Sequence, residues 1–507
     1  MSETENDLLK IAEHCDGLCQ SAAAKRNFPV ACQAAEASLA ITPDNPARLF
    51  NLALLKIEQG AIDEAQHLFA KALANGLPGI PYARQFASSH SNYLCQLSYS
   101  PQISRQEIAL AHRRWFDLHG AHLKPQPHRP PSPRNKLRIG MVSGDFYSHP
   151  AGMLIFSILE KFDRTRFELI AYSTNPFKDS LSRYISSLVS RYDDINTLED
   201  EELAARIRSD NIDILIDLSG HTKGNRLGVF CLKPAPIQAS FLGYWETTGI
   251  PRIDYIIFDR DIAPETEDAY CQETVLRFSQ SRFIYRPPGF TPEIADKNSY
   301  SGPARLVCFN NINKINDQVI SAWGQILRNL PGSKLKIRWK TLNDPIARAA
   351  FVSRLVAGGL PEESLEVMGE TTYDKILAEY NDADLALDPF PFSGGMTSFD
   401  ALWMGVPVLC LRGDRPVGRQ TESILRQLQH EELIASDPND YVSRAIHLAN
   451  DRTLRNQIAG DLRNRFSQLI LERMESYVED FEAMLETMWT MHCHKKGWHY
   501  RSFQSGN

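Results

Sequence analysis

The chain has 507 residues, 43% of them hydrophobic and 23% charged, with 55 Lys and Arg against 62 Asp and Glu and a formal net charge of -7. A chain of this length can bury several cores, and length alone predicts more than two and fewer than five domains. The acidic balance, with a pI near 6.1, excludes a surface built to neutralise nucleic-acid phosphates, while a local basic cleft for a small anion stays open.

Met1 to Asp7 is polar and acidic, unlike a signal peptide, and no apolar run approaches the roughly 20 residues of a membrane helix. The expectation is a cytoplasmic protein without membrane insertion. Nine cysteines are scattered without a paired CxxC frame, so reduced thiols are expected. His14, Cys15 and Cys19, and the run His492-Cys493-His494, are local His/Cys groups, but each lacks a second ligand pair at suitable spacing, and no metal is expected.

The first stretch, 1–124, reads as a helical arm. Ala31, Leu39 and Ala40 recur as Ala65, Leu73 and Ala74, the spacing of tetratricopeptide repeats. The clearest unit runs from Ala47 to Gly76, with apolar residues at helical spacing on both sides of a turn at Gly60. An unrelated helical hairpin with a chance period is the alternative. More helix is expected over 105–118. A Pro-rich linker, 125–136, then breaks the pattern.

Over 137–303, short apolar strands alternate with helices: LRIGMV, a helix with LIFSILEKF, FELIAYS, a helix near 203–207, IDILIDLSG, IQASFLGY and DYIIFDR. That alternation predicts a parallel sheet covered by helices. A Pro/Gly/Ser-rich loop over 286–302 precedes a second series over 304–465: RLVCFNN, a helix at 319–327, KLKIRWK, LEVMGE, a helix at 373–380, ADLALD and PVLCL. A helical tail is assigned to 466–507, with helix expected from about 437 to 491. Two Rossmann-like lobes are therefore expected, with ligands beyond the carboxyl ends of their strands and a cleft between them.

Four loops carry the residues suited to chemistry. In DPFPFSGGMTSFD, Gly394 and Gly395 let the backbone approach a ligand just before Met396, Thr397 and Asp400 enter a helix, so free amides and the helix dipole can meet a diphosphate while Asp400 binds ribose hydroxyls. A helix cap with an incidental glycine pair is the other reading of this stretch alone. In CFNNINKIN, Lys314 follows Asn310, Asn311 and Asn313, placed to neutralise charge on a departing nucleoside diphosphate. SGDFYSHPAG offers His149, and DLSGHTKGNR offers His221, Thr222 and Lys223, all after strand ends; a histidine there can take or give a proton. No GxSxG elbow, P-loop or HExxH occurs, which speaks against hydrolase, kinase and zinc-protease chemistry.

Taken together, LRIGMVSGDFYSHPAG, IDILIDLSGHTKGNR, KPAPIQASFLGY, TTGIPRIDY, CFNNINKIN and GGMTSFDALWMGVPV resemble the protein O-GlcNAc transferase family, including its bacterial and SPINDLY-type branch. The resemblance implies an α/β GT-B fold preceded by the tetratricopeptide-like arm. It also implies inverting, metal-independent transfer from a nucleotide sugar, with UDP-GlcNAc leading, to Ser or Thr of an acceptor protein such as flagellin or another surface protein, without a cofactor. Carried over by motif, His149 and His221 line the catalytic cleft and Lys314 stabilises the leaving diphosphate. Asn311 sits beside the nucleotide, where the animal enzymes have glutamine, Thr397 meets the diphosphate and Asp400 the ribose.

The chain departs from the family at Gly395-Met396-Thr397, where the animal enzymes have His-Thr-Thr, and at Tyr373, which takes the place of a base-gripping lysine and histidine and could stack on the base. Trp245 and Glu246 stand where the family has Pro-Gly or Pro-Asn; with Thr222 and Gly243 they are candidates to contact sugar or acceptor. Glu246 is either a base or sugar ligand or, the favoured alternative, a solvated loop acid. GDP-fucose as donor, N-linked glucosylation, and a nucleotide-binding repeat scaffold without turnover remain competing readings.

Overall fold

A computed structural model of the chain describes residues 3–25, 27–75, 84–125, 128, 136–295 and 300–497. Most of the expected linker at 125–136, residues 296–299 of the expected loop, and the last ten residues of the tail lie outside them. The chain forms two compact units, neither continuous in sequence: residues 1–103 with 287–466, and residues 104–286 with 467–507.

The arm begins with α1 (Glu3–Ala24), α2 (Phe28–Ile41), α3 (Pro46–Glu58), α4 (Ile62–Asn75) and α5 (Arg84–Leu97), followed by α6 (Arg105–His119). Asn27 and Asn45 accept amides at the starts of α2 and α3, each followed by a proline at the first or second helical position, where a missing N–H costs nothing. The repeat period is visible in space: Ala31 of α2 and Ala65 of α4 are both fully buried, and small side chains there let neighbouring helices close on one core with Leu49, Phe50 and Phe69. Gly60 adopts φ +79 between α3 and α4, which favours glycine. The division between units falls at 103/104 and not at the linker, so α6 groups with the first lobe.

That lobe contains β1 (Leu137–Ser143), α7 (Pro150–Lys161), β2 (Phe167–Ser173), α8 (Ser180–Ser187), β3 (Arg191–Asp194), α9 (Asp200–Ser209), β4 (Ile214–Asp217), α10 (Leu227–Cys231), β5 (Ile237–Phe241), β6 (Tyr255–Asp259) and β7 (Thr274–Phe278). Its seven strands run parallel in the order β3-β2-β1-β4-β5-β6-β7. The second lobe contains β8 (Arg305–Cys308), α11 (Asp317–Arg328), β9 (Lys334–Arg338), α12 (Pro345–Ala357), β10 (Leu365–Met368), α13 (Tyr373–Glu379), β11 (Leu385–Leu387), α14 (Met396–Trp403), β12 (Val408–Leu411), α15 (Gln420–Gln427), β13 (Ile434–Ala435) and α16 (Pro438–Asn450). Its six parallel strands run β10-β9-β8-β11-β12-β13.

A single helix, α17 (Arg452–Lys496), closes the described chain and runs across the expected boundary at 465/466. Its second half belongs with the first lobe because it carries aromatic side chains into that core: Phe481 stacks on Phe241 with ring centroids 4.9 Å apart, and Tyr477 stacks on Phe278 at 4.8 Å. Each sheet reverses its winding once, between β1 and β4 and between β8 and β11. The crevice at such a switch point, beyond the strand carboxyl ends, is where open α/β sheets take ligands.

Candidate functional site

The expected site loops leave the two switch points: those with His149 and His221 follow β1 and β4, and those with Lys314 and Gly394 follow β8 and β11.

In the second lobe, the loop after β8 turns Lys314 inward. Its Nζ donates to Asn310 Oδ1 at 3.0 Å and to Ser393 O at 2.7 Å, and it lies 4.5 Å from the centroid of the Phe392 ring. Asn310 Oδ1 also accepts from Thr397 Oγ1 at 3.0 Å, so a single amide oxygen ties the lysine to the start of α14. Burial pulls the Lys314 ammonium down to about 8 and pushes the buried Asp388 carboxyl at the end of β11 up to about 6, each against the attraction of the other charge. Asp388 Oδ1 accepts the Gly394 amide at 2.7 Å. A side chain at Gly394 would meet Ser398 Oγ at 2.1 Å, which explains the first glycine of the pair. The first amides of α14 to bond back are those of Ser398 and Phe399, both to Gly395 O, which leaves the amides of Gly395, Met396 and Thr397 at the positive end of the helix for an anion.

Asp400, one turn on, is buried and accepts Tyr373 O–H at 2.7 Å; the Phe290 ring meets Tyr373 edge-on at 5.6 Å. Tyr373 therefore orients the carboxylate expected to hold a ribose. Asn311 uses its side chain to accept the Asn313 amide at 3.1 Å and shapes the loop that presents Lys314. Beneath that loop, Tyr99 of the arm segment stacks on Phe392 at 4.6 Å, a support that sequence reading did not find.

In the first lobe, His149 caps α7, its Nδ1 accepting the Ala151 amide at 3.3 Å. In its neutral form the proton is then on Nε2, which makes the ring a hydrogen-bond donor. Asp145 Oδ1 lies 3.5 Å from the same Nδ1 and would stabilise a second proton. His149 is the half-exposed histidine of the pair; His221 is fully buried. Its Nε2–H donates to Thr248 O at 2.9 Å, and Trp115 and His112 of α6 stand edge-on to its ring at 5.1 Å each. His221 thus occupies the expected strand end as an enclosed ring. Thr222 Oγ1 turns back to Ser219 O at 2.7 Å.

The glycines here are demanded by close approach: a side chain at Gly243 would lie 1.8 Å from Leu218 O, and one at Gly220, where φ is +52, would lie 2.3 Å from Tyr244 Cβ. Trp245 is half-buried with its ring 4.9 Å from that of Tyr244. Glu246 corrects the expectation of a solvated loop acid: it is fully buried and forms an ion pair with Arg105 of α6, whose Nη2 also pairs with Glu267 at 2.8 Å. A carboxylate so engaged anchors its loop to α6. Asp217, at the end of β4, accepts the amides of Ser219 and Gly220 and the Ser240 hydroxyl, at 2.9 to 3.1 Å, and burial pushes it up to about 6. Among the described residues no three His, Cys, Asp or Glu side chains gather as a group able to hold a metal, and no helix is long and apolar enough to cross a membrane.

The model of glycosyl transferase family 41 matches residues 90–286 and 291–481. The chain belongs to this family. A Solanum lycopersicum protein named as a probable UDP-N-acetylglucosamine--peptide N-acetylglucosaminyltransferase SPINDLY is 29% identical over 422 residues, covering 79% of this chain and 44% of the relative. The Hordeum vulgare protein of that name is 30% identical over 416 residues, covering 79% and 43%. A Caenorhabditis elegans protein with the same transferase name, without SPINDLY, is 25% identical over 474 residues, covering 70% and 41%. The chain thus spans less than half the length of these relatives. A solved structure of a mutant O-GlcNAc transferase from Thermobaculum terrenum matches with a TM-score of 0.87 at 28% identity, covering 98% of this chain and 100% of that one. The GT-B fold with a helical arm is therefore the fold this family member has.

Proposed function

We propose that this glycosyltransferase moves a sugar from a nucleotide sugar, UDP-GlcNAc first among the candidates, onto Ser or Thr of an acceptor protein, with inversion and without a metal ion. The observation that carries the reading is the buried Lys314, held by Asn310 and Ser393 and joined through Asn310 to Thr397 at the head of α14.

The diphosphate of the donor sits against the amides of Gly395, Met396 and Thr397, and the Lys314 ammonium meets the charge that grows as the glycosidic bond breaks. A fixed cation in a site shielded from water stabilises that charge without the reorganisation that solvent would require, which is the task a divalent ion performs elsewhere. Asp400, oriented by Tyr373, accepts from ribose hydroxyls. In inverting transfer the acceptor hydroxyl oxygen forms its bond to the anomeric carbon on the face opposite the departing diphosphate, the bond from that carbon to the diphosphate oxygen breaks with its electron pair going to the diphosphate, and the hydroxyl proton passes to the departing diphosphate or to solvent. His149 offers an Nε2–H to the substrate at its own switch point, and His221 serves as a positioning residue inside its loop. The names of the relatives, which specify UDP-N-acetylglucosamine and peptide, support the donor and the acceptor class.

The test is a calorimetric panel of UDP, GDP, UDP-GlcNAc, UDP-glucose and GDP-fucose, followed by mass spectrometry of a modified acceptor. Selective uridine binding and O-linked HexNAc are expected. Selective guanosine binding would overturn the donor, sugar on asparagine would overturn the linkage, and no nucleotide binding would overturn the enzyme reading in favour of a scaffold.

A further inference from the structure

Helix α6 carries an unusual buried stripe. Arg105, Ile108, His112, Trp115 and His119 recur every three or four residues on one face, and all are buried. A stripe built for stability alone would be apolar, because burying an arginine with two glutamates and a histidine carries a desolvation cost that well-packed hydrophobic side chains avoid. Two of its polar members, Arg105 and His112, reach the same target, the loop over 243–250 that carries Trp245.

They grip it at three points. His112 Nδ1–H donates to Ile108 O at 2.7 Å within the helix, which leaves Nε2 of the neutral ring to accept Tyr244 O–H at 2.7 Å; burial holds the His112 imidazole neutral, down to about 4. Arg105 pairs with Glu246 and with Glu267, and the opposite charges hold its guanidinium protonated. At Gly249, where φ is +71, the loop backbone comes so close to α6 that a side chain would lie 2.3 Å from the His112 carbonyl carbon. Trp245 therefore lies between two residues, Tyr244 and Glu246, that are both fastened to α6. The same helix encloses the His221 ring through His112 and Trp115.

We propose that Arg105 and His112 are positioning residues for sugar transfer: α6 clamps the 243–250 loop so that Trp245 and His221 keep one geometry during the reaction. The inference rests on the proposed transferase activity and extends it to a helix that sequence analysis assigned to the arm. Satisfied buried polar networks specify a single arrangement where apolar packing tolerates several.

The experiment compares wild type with His112→Phe, Tyr244→Phe and the double variant in three readouts: kcat and KM for transfer, UDP affinity by calorimetry, and hydrogen exchange of the 243–250 amides. Each single variant is expected to lose tenfold or more in kcat, to keep UDP affinity within twofold, and to exchange the loop amides at least tenfold faster. The double variant is expected to be no worse than either single one, because both changes remove the same bond. Transfer within twofold of wild type together with unchanged loop exchange in Tyr244→Phe, which alters one hydroxyl, would overturn the proposal. Faster loop exchange in the variants of a protein whose wild type transfers no sugar would overturn the role in transfer through the failure of the enzyme reading, and leave the clamp standing.

Discussion

Lys314 and Arg105 are both buried cations beside loops that leave strand ends, yet their surroundings differ in kind. The hydrogen bonds of Lys314 go to neutral oxygens, an amide and a carbonyl, and burial draws its pKa down to about 8. Arg105 is met by two carboxylates, which hold it firmly protonated. A buried cation whose hydrogen bonds go to neutral oxygens, with the Asp388 carboxyl attracting it, still gains by the arrival of an anion, whereas one hydrogen-bonded to two carboxylates has less to offer a substrate. The first is suited to chemistry and the second to holding a shape, and neither residue type nor burial alone separates them.

The sharpest way to break this contrast is Lys314→Met. Removing a preorganised charge stabiliser is expected to lower kcat by about 10²- to 10³-fold and to weaken UDP binding in calorimetry. The pH profile tests the same point. Lys314 is charged below about 8, so kcat/KM, which reports the free enzyme, should fall as pH rises through that value. Bound diphosphate favours the ammonium, so the corresponding limb in kcat should lie at higher pH. Both limbs should vanish in the variant; a profile unchanged by the substitution would remove Lys314 from the chemistry.

A smaller effect is expected at Tyr373. Tyr373→Phe deletes the hydrogen bond that orients Asp400, a loss of about 1 kcal/mol, and should raise the Kd of the donor about fivefold with kcat nearly unchanged. An equal drop in kcat would mean that Tyr373 acts on the transition state.

A separate effect concerns stability and not turnover. Asp217 titrates at about 6 in the folded chain against an ordinary 3.8. Between those values the native state holds the extra proton, so its contribution is fully present below about pH 4 and is lost as pH rises through 6. The urea midpoint of wild type should fall relative to that of Asp217→Asn over this range. A difference that stays flat with pH would show that the buried carboxyl keeps an ordinary affinity for its proton.

The strands and the loops that follow them were legible because each was a short apolar run ending in a distinctive polar turn: LRIGMV before SGDFYSH and RLVCF before NNINK both lie where they were read. The short, partly exposed strands β3, RYDD, and β7, TVLRF, gave no such contrast with solvent-facing sequence and were missed. Single-residue roles failed where they depended on a distant partner. Nothing near Glu246 announces Arg105, 141 residues away. A local signal did exist in α6: polar residues at 105, 112 and 119, seven apart, fall on its apolar face, and charged or imidazole groups repeated on a buried stripe indicate a network that must be satisfied from elsewhere.

The grouping of the chain into discontinuous units bears on how this chain can be dissected. Trimming the arm at the proline-rich stretch would carry away α6, and with it the cation facing Glu246 and the acceptor of the Tyr244 hydroxyl. Trimming ahead of Ser104 would spare those, but it would strip Tyr99 from Phe392 and take from Arg415 the carbonyls of Ser100 and Ile103, to which it donates at 3.1 and 3.0 Å. Neither cut yields two lobes with their own parts intact. What reads in sequence as a detachable handle is, from Tyr99 onward, inner wall.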